Sequence, residues 1–159
     1  MRTFIAPLVL LGILSSNLPA ADTSYRDAAL EAARWIRASA ARADQGTVWP
    51  SDPRDAKSVN DTLYAGTPGV ILFFLEASRS TGDQSFLKNA CAGADHLLAT
   101  FANEKESGLY VGIAGIGFAL TETFKASGES KYRQGALRCA QLLGERTKKV
   151  GNGIEWNDT

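Results

Sequence analysis

The stretch LYAGTPGV, from Leu63 to Val70, returns as LYVGIAGI, from Leu109 to Ile116. The two stretches lie 46 residues apart, and the match continues beyond them without a gap, so that Phe86 corresponds to Tyr132. A fixed period of about 40 to 50 residues is typical of a supersecondary unit that buries its apolar face only by stacking on its neighbours. The chain is therefore predicted to be a repeat protein.

Each repeat unit predicts two helices. In the first unit, Thr67 is expected to cap a helix whose run from Val70 to Leu75 is apolar on nearly every side, which predicts burial all round. Gly82 is expected to end this helix, and Asp83 to cap the next one. The apolar residues of that next helix recur at spacings of three and four, which predicts an amphipathic outer helix: Phe86, Leu87, Ala90, Ala94, Leu97, Leu98 and Phe101.

The second unit repeats this plan, with a buried helix over Ile116 to Phe124 and a one-sided outer helix after it. Another outer helix is predicted before the first unit, from Ser24 to Arg42, and β-structure is nearly absent. Alternating buried and half-buried helices favour an α/α toroid over a four-helix bundle, because a bundle helix needs only one apolar stripe. The predicted fold class is all-α: an α/α toroid of helical hairpins, present as an incomplete amino-terminal arc.

The number of units predicts that the toroid is incomplete. A closed toroid of this kind needs about six or seven units, whereas the sequence shows two complete units and one helix before them. The phrase GIEWNDT at 153–159 echoes GTVWPSD at 46–52, which precedes the first unit. We therefore expect residues 21–159 to be the amino-terminal part of a longer toroid domain.

The amino terminus has the pattern of a secretory signal peptide over residues 1–20. Arg2 precedes an apolar run from Phe4 to Leu14, and small residues follow at Ala20 and Ala21. A helix over that run spans only about 16 Å, against roughly 30 Å for the bilayer core, so a permanent membrane span is not expected. The segment predicts export to the periplasm or the extracellular space.

Composition limits the classes of partner. Lys plus Arg number 17 and Asp plus Glu number 17, so the formal net charge is zero and no basic field favours nucleic acid. The chain has two cysteines, Cys91 and Cys139, and one histidine, His96, which is too few for a dense disulfide framework or a His-rich metal site. The two cysteines either pair after export or stay as small buried side chains.

The repeated motif also carries a family resemblance. Each unit has the pattern Tyr-x-Gly-x-x-Gly at the start of its apolar helix, formed by Tyr64, Gly66, Gly69, Tyr110, Gly112 and Gly115. Over residues 25 to 159 the chain resembles the lanthionine synthetase C-like (LanC-like) family. The resemblance implies an α/α toroid and a zinc enzyme, which activates a peptide cysteine for addition to a dehydrated serine or threonine and so forms a thioether ring.

The resemblance does not extend to the metal ligands. The family holds zinc with two cysteines and a histidine in its carboxy-terminal part, where the second cysteine directly precedes the histidine. Here Cys139 precedes Ala140 and His96 follows Asp95, so no zinc ligand is assigned and no cofactor is expected in this part of the chain. Whether the chain itself is an enzyme therefore stays open.

Two other functions stay open. A carbohydrate-active enzyme on a six-hairpin toroid would use paired carboxylates, for which Asp52, Asp55, Asp61 and Asp158 are candidates in the loops. A non-catalytic helical-repeat binding protein needs no such pair. The candidates for lining the mouth of the toroid are Trp49, Asp61, Trp156 and Asp158, although the two tryptophans serve equally well as loop anchors. The substrate is accordingly a peptide or a carbohydrate.

Overall fold

The computed structural model describes residues 23–52 and 54–156, and the signal-peptide prediction for residues 1–20 lies outside them. The described residues form five α-helices, a short 3₁₀ turn and two hairpins of short strands. In chain order they are α1 (Thr23–Ala38), β1 (Ala41–Arg42), β2 (Thr47–Val48), α2 (Thr67–Thr81), α3 (Gln84–Thr100), the 3₁₀ turn Phe101–Asn103, α4 (Ile113–Ser127), α5 (Ser130–Glu145), β3 (Thr147–Val150) and β4 (Gly153–Trp156). The all-α fold class is confirmed, whereas closure into a toroid stays a prediction.

The helical pairs α2–α3 and α4–α5 are the two predicted repeat units. Gly82 and Gly128 both have φ of 74° and end the inner helices α2 and α4, a conformation that glycine adopts without steric cost. Asp83 accepts a hydrogen bond from the Ser85 amide at 2.8 Å and so caps α3 as predicted. The prediction that Thr67 caps α2 was wrong, because Gly66 is the capping residue and Thr67 is already the first helical one.

The core lies between the inner helices α2 and α4 and the outer helices α3 and α5. Its fully buried side chains include Ile71, Phe74, Leu97, Ile113, Ile116, Leu120 and Tyr132. The prediction that α2 is buried all round was wrong, since Leu72 and Leu75 are only half-buried. Both line a cleft of about 760 Å³ between the carboxyl halves of α2 and α4. The inner helices therefore keep one face that no described helix covers.

Two antiparallel hairpins follow the outer helices α1 and α5, where almost no β-structure is predicted. The helix α1 ends at Ala38, and the residues expected to extend it to Arg42 form β1 instead. The turn between β1 and β2 lies directly on α3, because Gly46 comes so close to Ala92 and His96 that a Cβ would overlap their backbone. The first hairpin thus joins α1 to the following unit.

Tyr132, the third residue of α5, joins α5 to the outer helix α3. Its side chain is fully buried, and its hydroxyl donates to Asp95 Oδ1 at 3.0 Å and to the Cys91 carbonyl at 3.2 Å. Lys131 pairs with the same Asp95 carboxylate at 2.7 Å. Burial and the neighbouring Cys91 and Asp95 raise the pKa of the Tyr132 hydroxyl far above its usual value near 10.

The buried hydroxyl of Thr67 predicts a stabilising substitution. This hydroxyl has no hydrogen-bond partner among the described residues, and the corresponding residue of the second unit is the fully buried Ile113. An unpaired buried hydroxyl costs about 1 to 3 kcal/mol, so Thr67→Val should raise the free energy of unfolding by about 1 kcal/mol in urea denaturation. Thr123→Val is the matched control, since the equally buried Thr123 hydroxyl donates to Ala119 at 2.8 Å and its loss should bring no gain. A loss of stability in Thr67→Val would contradict the prediction.

Candidate functional site

The amino ends of α2 and α4 carry the most exposed aromatic residues of the repeat. Tyr64 is 83% exposed and Tyr110 is 64% exposed, at corresponding places in the two loops that lead into the inner helices. The backbone amide of Tyr64 donates to the carbonyl of Tyr110 at 3.1 Å, so the two loops lie side by side. Leu109 and Val111 beside Tyr110 are also exposed. We call Tyr64, Leu109, Tyr110 and Val111 the tyrosine surface.

The motif glycines allow these loops to fold back on the helices. The first helical amides, of Thr67 and Ile113, donate to the carbonyls of Asn60 and Glu106, both at 3.0 Å. A Cβ at Gly66 or Gly115 would overlap a carbonyl oxygen of the same loop, so only glycine permits this approach. The first amides of both helices therefore donate to carbonyls of the preceding loop, and the glycines permit this close approach.

Asp61 and His96 lie together at the first of these loops. Asp61 Oδ1 is 3.2 Å from His96 Nε2, and Asp61 Oδ2 accepts a hydrogen bond from the Thr100 hydroxyl at 2.7 Å. Both side chains of the pair are mostly buried. The contact holds the loop before Tyr64 against the carboxyl end of α3. Asp61 was a candidate from the sequence, but its pairing with His96, 35 residues away, has no signal in the spacing.

A second contact does the same for the Tyr110 loop. The Arg146 guanidinium donates to the Glu104 carbonyl at 2.6 Å, and to the carbonyls of Lys105 and Glu106 at 3.3 Å. Arg146 lies 46 residues after Thr100, which is the repeat period. The outer helices α3 and α5 therefore each have, at or directly after their last residue, a side chain that fixes the loop before an inner helix.

The two tryptophans are in different surroundings. Trp49 is 3% exposed, and its ring centre is 5.6 Å from that of Phe74, which fits the loop-anchor interpretation. Trp156 is 43% exposed, and its indole N–H donates to the Leu143 carbonyl at 2.9 Å. Neither tryptophan belongs to the tyrosine surface, and Asp158 lies outside the described residues.

The loop carboxylates that the carbohydrate alternative needs form ion pairs or hydrogen bonds with other residues of the protein. Asp52 pairs with Arg54 at 2.9 Å, and this contact lowers the pKa of the Asp52 carboxyl. Asp55 accepts from the Lys57 amide at 2.9 Å, and Asp61 is held by His96 and Thr100. Asp52 and Asp55 thus bond within their own loop, whereas Asp61 bonds that loop to α3.

The two inner-helix glutamates have equivalent partners. Glu76 pairs with Arg79, and Glu122 pairs with Lys125, each at 2.6 Å and three residues apart. All four residues line the cleft between α2 and α4. The sequence carried this signal, because opposite charges three residues apart are neighbours on a helix.

The cysteines do not form a metal centre or a disulfide in the described residues. Cys91 and Cys139 are both free thiols. Burial raises the pKa of both thiols, to about 11 for Cys139, which disfavours the thiolate that zinc requires. Residues 23–52 and 54–156 contain no group of three His, Cys, Asp or Glu side chains placed for a metal ion. The described residues therefore do not fit zinc.

The repeated inner and outer helices define an all-α repeat protein. The loops that precede its inner helices carry the tyrosine surface. Comparison with known protein families matches residues 57–159 to "Lanthionine synthetase C-like protein". The chain belongs to this family. A search of the curated proteins finds no match. None of the helices described here has the length and apolar character needed to cross a membrane.

Proposed function

We propose that this chain is the peptide-binding part of an exported LanC-like protein, whose reaction adds a cysteine thiol to a dehydrated serine or threonine. The thiol sulfur bonds to the β-carbon of the double bond, and a proton goes to the α-carbon, so the step needs no oxidant. No zinc ligand is assigned among the described residues. Their part in the proposal is to bind the peptide.

The tyrosine surface carries this proposal. Two aromatic rings stand at equivalent places on loops that are fixed by main-chain hydrogen bonds and by the Asp61 and Arg146 contacts. Tyrosine side chains offer a large contact area at small entropy cost, and contiguous exposed apolar patches mark binding sites. A peptide that carries apolar side chains fits this surface.

Substituting the tyrosines tests the proposal. The probe is a synthetic peptide that contains cysteine and dehydroalanine, and its affinity for the full chain is measured by fluorescence anisotropy. Tyr64→Ser and Tyr110→Ser should each weaken binding about 5- to 30-fold, the loss expected for a well-packed aromatic contact. Tyr25→Ser is the matched control, because Tyr25 is 77% exposed on α1 rather than on these loops.

The same experiment includes the carbohydrate alternative. A β-linked glucose hexasaccharide is titrated in parallel with the peptide. Binding of the sugar but not of the peptide would favour the carbohydrate-active alternative. Peptide binding that neither Tyr64→Ser nor Tyr110→Ser changes would contradict the tyrosine surface as the site.

A further inference from the structure

The two rings of the tyrosine surface have no side-chain contact that fixes them. Within the described part of the chain, the side chains of Tyr64 and Tyr110 form no hydrogen bond, ion pair or ring contact, and both are exposed. The place of each ring therefore depends on the backbone of its loop. Whatever holds that backbone also decides where a bound peptide meets the ring.

The Tyr64 loop is held from outside by α3. Three residues before Tyr64, Asp61 Oδ1 lies 3.2 Å from His96 Nε2, and both side chains of this pair are mostly buried. The next residue, Thr62, accepts the amide of Ala65 on its hydroxyl at 3.2 Å, so that a hydrogen bond closes the loop around Tyr64. The contact with His96 and the tyrosine thus belong to one short bonded segment.

The Tyr110 loop is held from outside by the residue that follows α5. The Arg146 guanidinium donates to the Glu104 carbonyl at 2.6 Å and to the Glu106 carbonyl at 3.3 Å. The Glu106 carbonyl also accepts the first amide of α4, from Ile113, at 3.0 Å. One side chain therefore fixes both the start of this loop and the carbonyl on which the loop closes.

We infer that His96 and Arg146 are positioning residues of the proposed peptide site, His96 for Tyr64 and Arg146 for Tyr110. This inference rests on the proposed function. Each residue acts on a loop three or four residues before the tyrosine and from its own outer helix, whereas the Tyr64 amide and the Tyr110 carbonyl set the spacing between the loops. A loop that is already held in place does not have to be ordered when the peptide binds, so losing the contact costs affinity.

Double-mutant cycles on peptide affinity test this pairing. The probe is the same synthetic peptide with cysteine and dehydroalanine, measured with the full chain by fluorescence anisotropy. His96→Ala should weaken binding about 3- to 10-fold in the wild type and in Tyr110→Ser, but no further in Tyr64→Ser, which already lacks the ring. Arg146→Gln should show the opposite pattern. A residue that only stabilises the fold would change affinity equally in both backgrounds.

Fluorine NMR tests the pairing without any peptide. The chain has four tyrosines, so labelling with 3-fluorotyrosine gives four resonances, which single Tyr→Phe substitutions assign. His96→Ala should shift or broaden the resonance of Tyr64 more than that of Tyr110, and Arg146→Gln should do the reverse. The other two tyrosines lie outside these loops, and their unchanged resonances show that the fold is intact.

The conservative variant and the controls complete the test. His96→Gln keeps an N–H donor for Asp61 and should restore both the affinity and the Tyr64 resonance. Lys88→Ala in α3 and Arg138→Ala in α5 are the matched controls, because both residues are exposed and neither contacts a tyrosine loop. Equal changes at the two tyrosines, no change at either, or no rescue by His96→Gln would overturn the inference. A wild type that does not bind the peptide would overturn the proposed function, while the fluorine resonances would still decide which residue positions each ring.

Discussion

Gly115→Ala should lower the free energy of unfolding by about 3 kcal/mol, because the new Cβ has no space. It would overlap the carbonyl oxygen of Leu109, and it would lie 3.1 Å from the Cβ of Leu63 in the neighbouring unit. Backbone atoms cannot move aside as the end of a flexible side chain can, so the loop before α4 must shift. Overpacking of this kind costs about 1 to 3 kcal/mol, and occasionally more. Urea denaturation followed by circular dichroism measures the loss.

Gly144→Ala is the matched control for Gly115→Ala. No atom lies within 4 Å of the Cβ position at Gly144, and this residue is in the last turn of α5. Alanine is the better helix former, so this variant should gain up to about 1 kcal/mol. An equal and small effect of the two substitutions would contradict the close approach at Gly115. Because the loop also carries Tyr110, Gly115→Ala should weaken peptide binding at the tyrosine surface as well.

Tyr132→Ala should cost about 4 kcal/mol of unfolding free energy. The side chain is fully buried between α3 and α5, and truncation of a buried aromatic ring typically costs about 3 to 5 kcal/mol. Tyr132→Phe keeps the ring and removes only the hydroxyl that bonds to Asp95 and Cys91, so it should lose about 1 to 2 kcal/mol. A loss as large in Tyr132→Phe as in Tyr132→Ala would show that the hydroxyl, rather than the ring, holds the outer helices together.

The pH dependence of the free energy of unfolding tests the contribution of the Tyr132 hydroxyl. The pKa of Tyr132 is raised in the folded state by burial and by the neighbouring Cys91 and Asp95. Below about pH 10 the hydroxyl is protonated in both states, so its contribution to stability is fully present. Above that pH only the unfolded chain loses the proton, and the free energy of unfolding falls by up to about 1.4 kcal/mol per pH unit. Tyr132→Phe should lack this part of the alkaline loss, whereas the part from Cys91 and Cys139 should remain. If the free energy of unfolding falls equally steeply with pH above pH 10 in the wild type and in Tyr132→Phe, the prediction is contradicted.

The sequence predicted those parts of the fold that depend on local pattern. Apolar spacing located α2 to α5, and Gly82 and Asp83 marked the turn between α2 and α3 because their roles follow from backbone geometry alone. The prediction that Thr67 caps α2 was wrong because Gly66 is the capping residue. The backbone of Gly66 is extended, and its amide donates to the Thr62 carbonyl. The short strands β1 and β2 have two residues each, too few for the alternation that identifies a strand.

The sequence predicted only part of the candidate site, because several of its contacts depend on tertiary packing. Tyr64 and Tyr110 are in the motif, so their equivalent placement followed from the repeat. The contact of Asp61 with His96 depends on which loop meets the end of α3, and a spacing of 35 residues does not encode that. Arg146 had no motif of its own, although its period relation to Thr100 was present in the sequence. Tertiary packing, rather than local preference, decides these contacts.

The hydrogen bond between Tyr64 and Tyr110 has a consequence for how such a protein changes over time. It joins an amide to a carbonyl, and therefore uses no side-chain atom of either residue. A point mutation at either position, proline at position 64 excepted, alters the chemistry of the surface and keeps the hydrogen bond that spaces the two loops. Gene duplication of a whole unit, for the same reason, brings along the backbone groups with which the new copy attaches to the old one. New binding preferences can thus arise one codon at a time on a frame that does not have to be rebuilt.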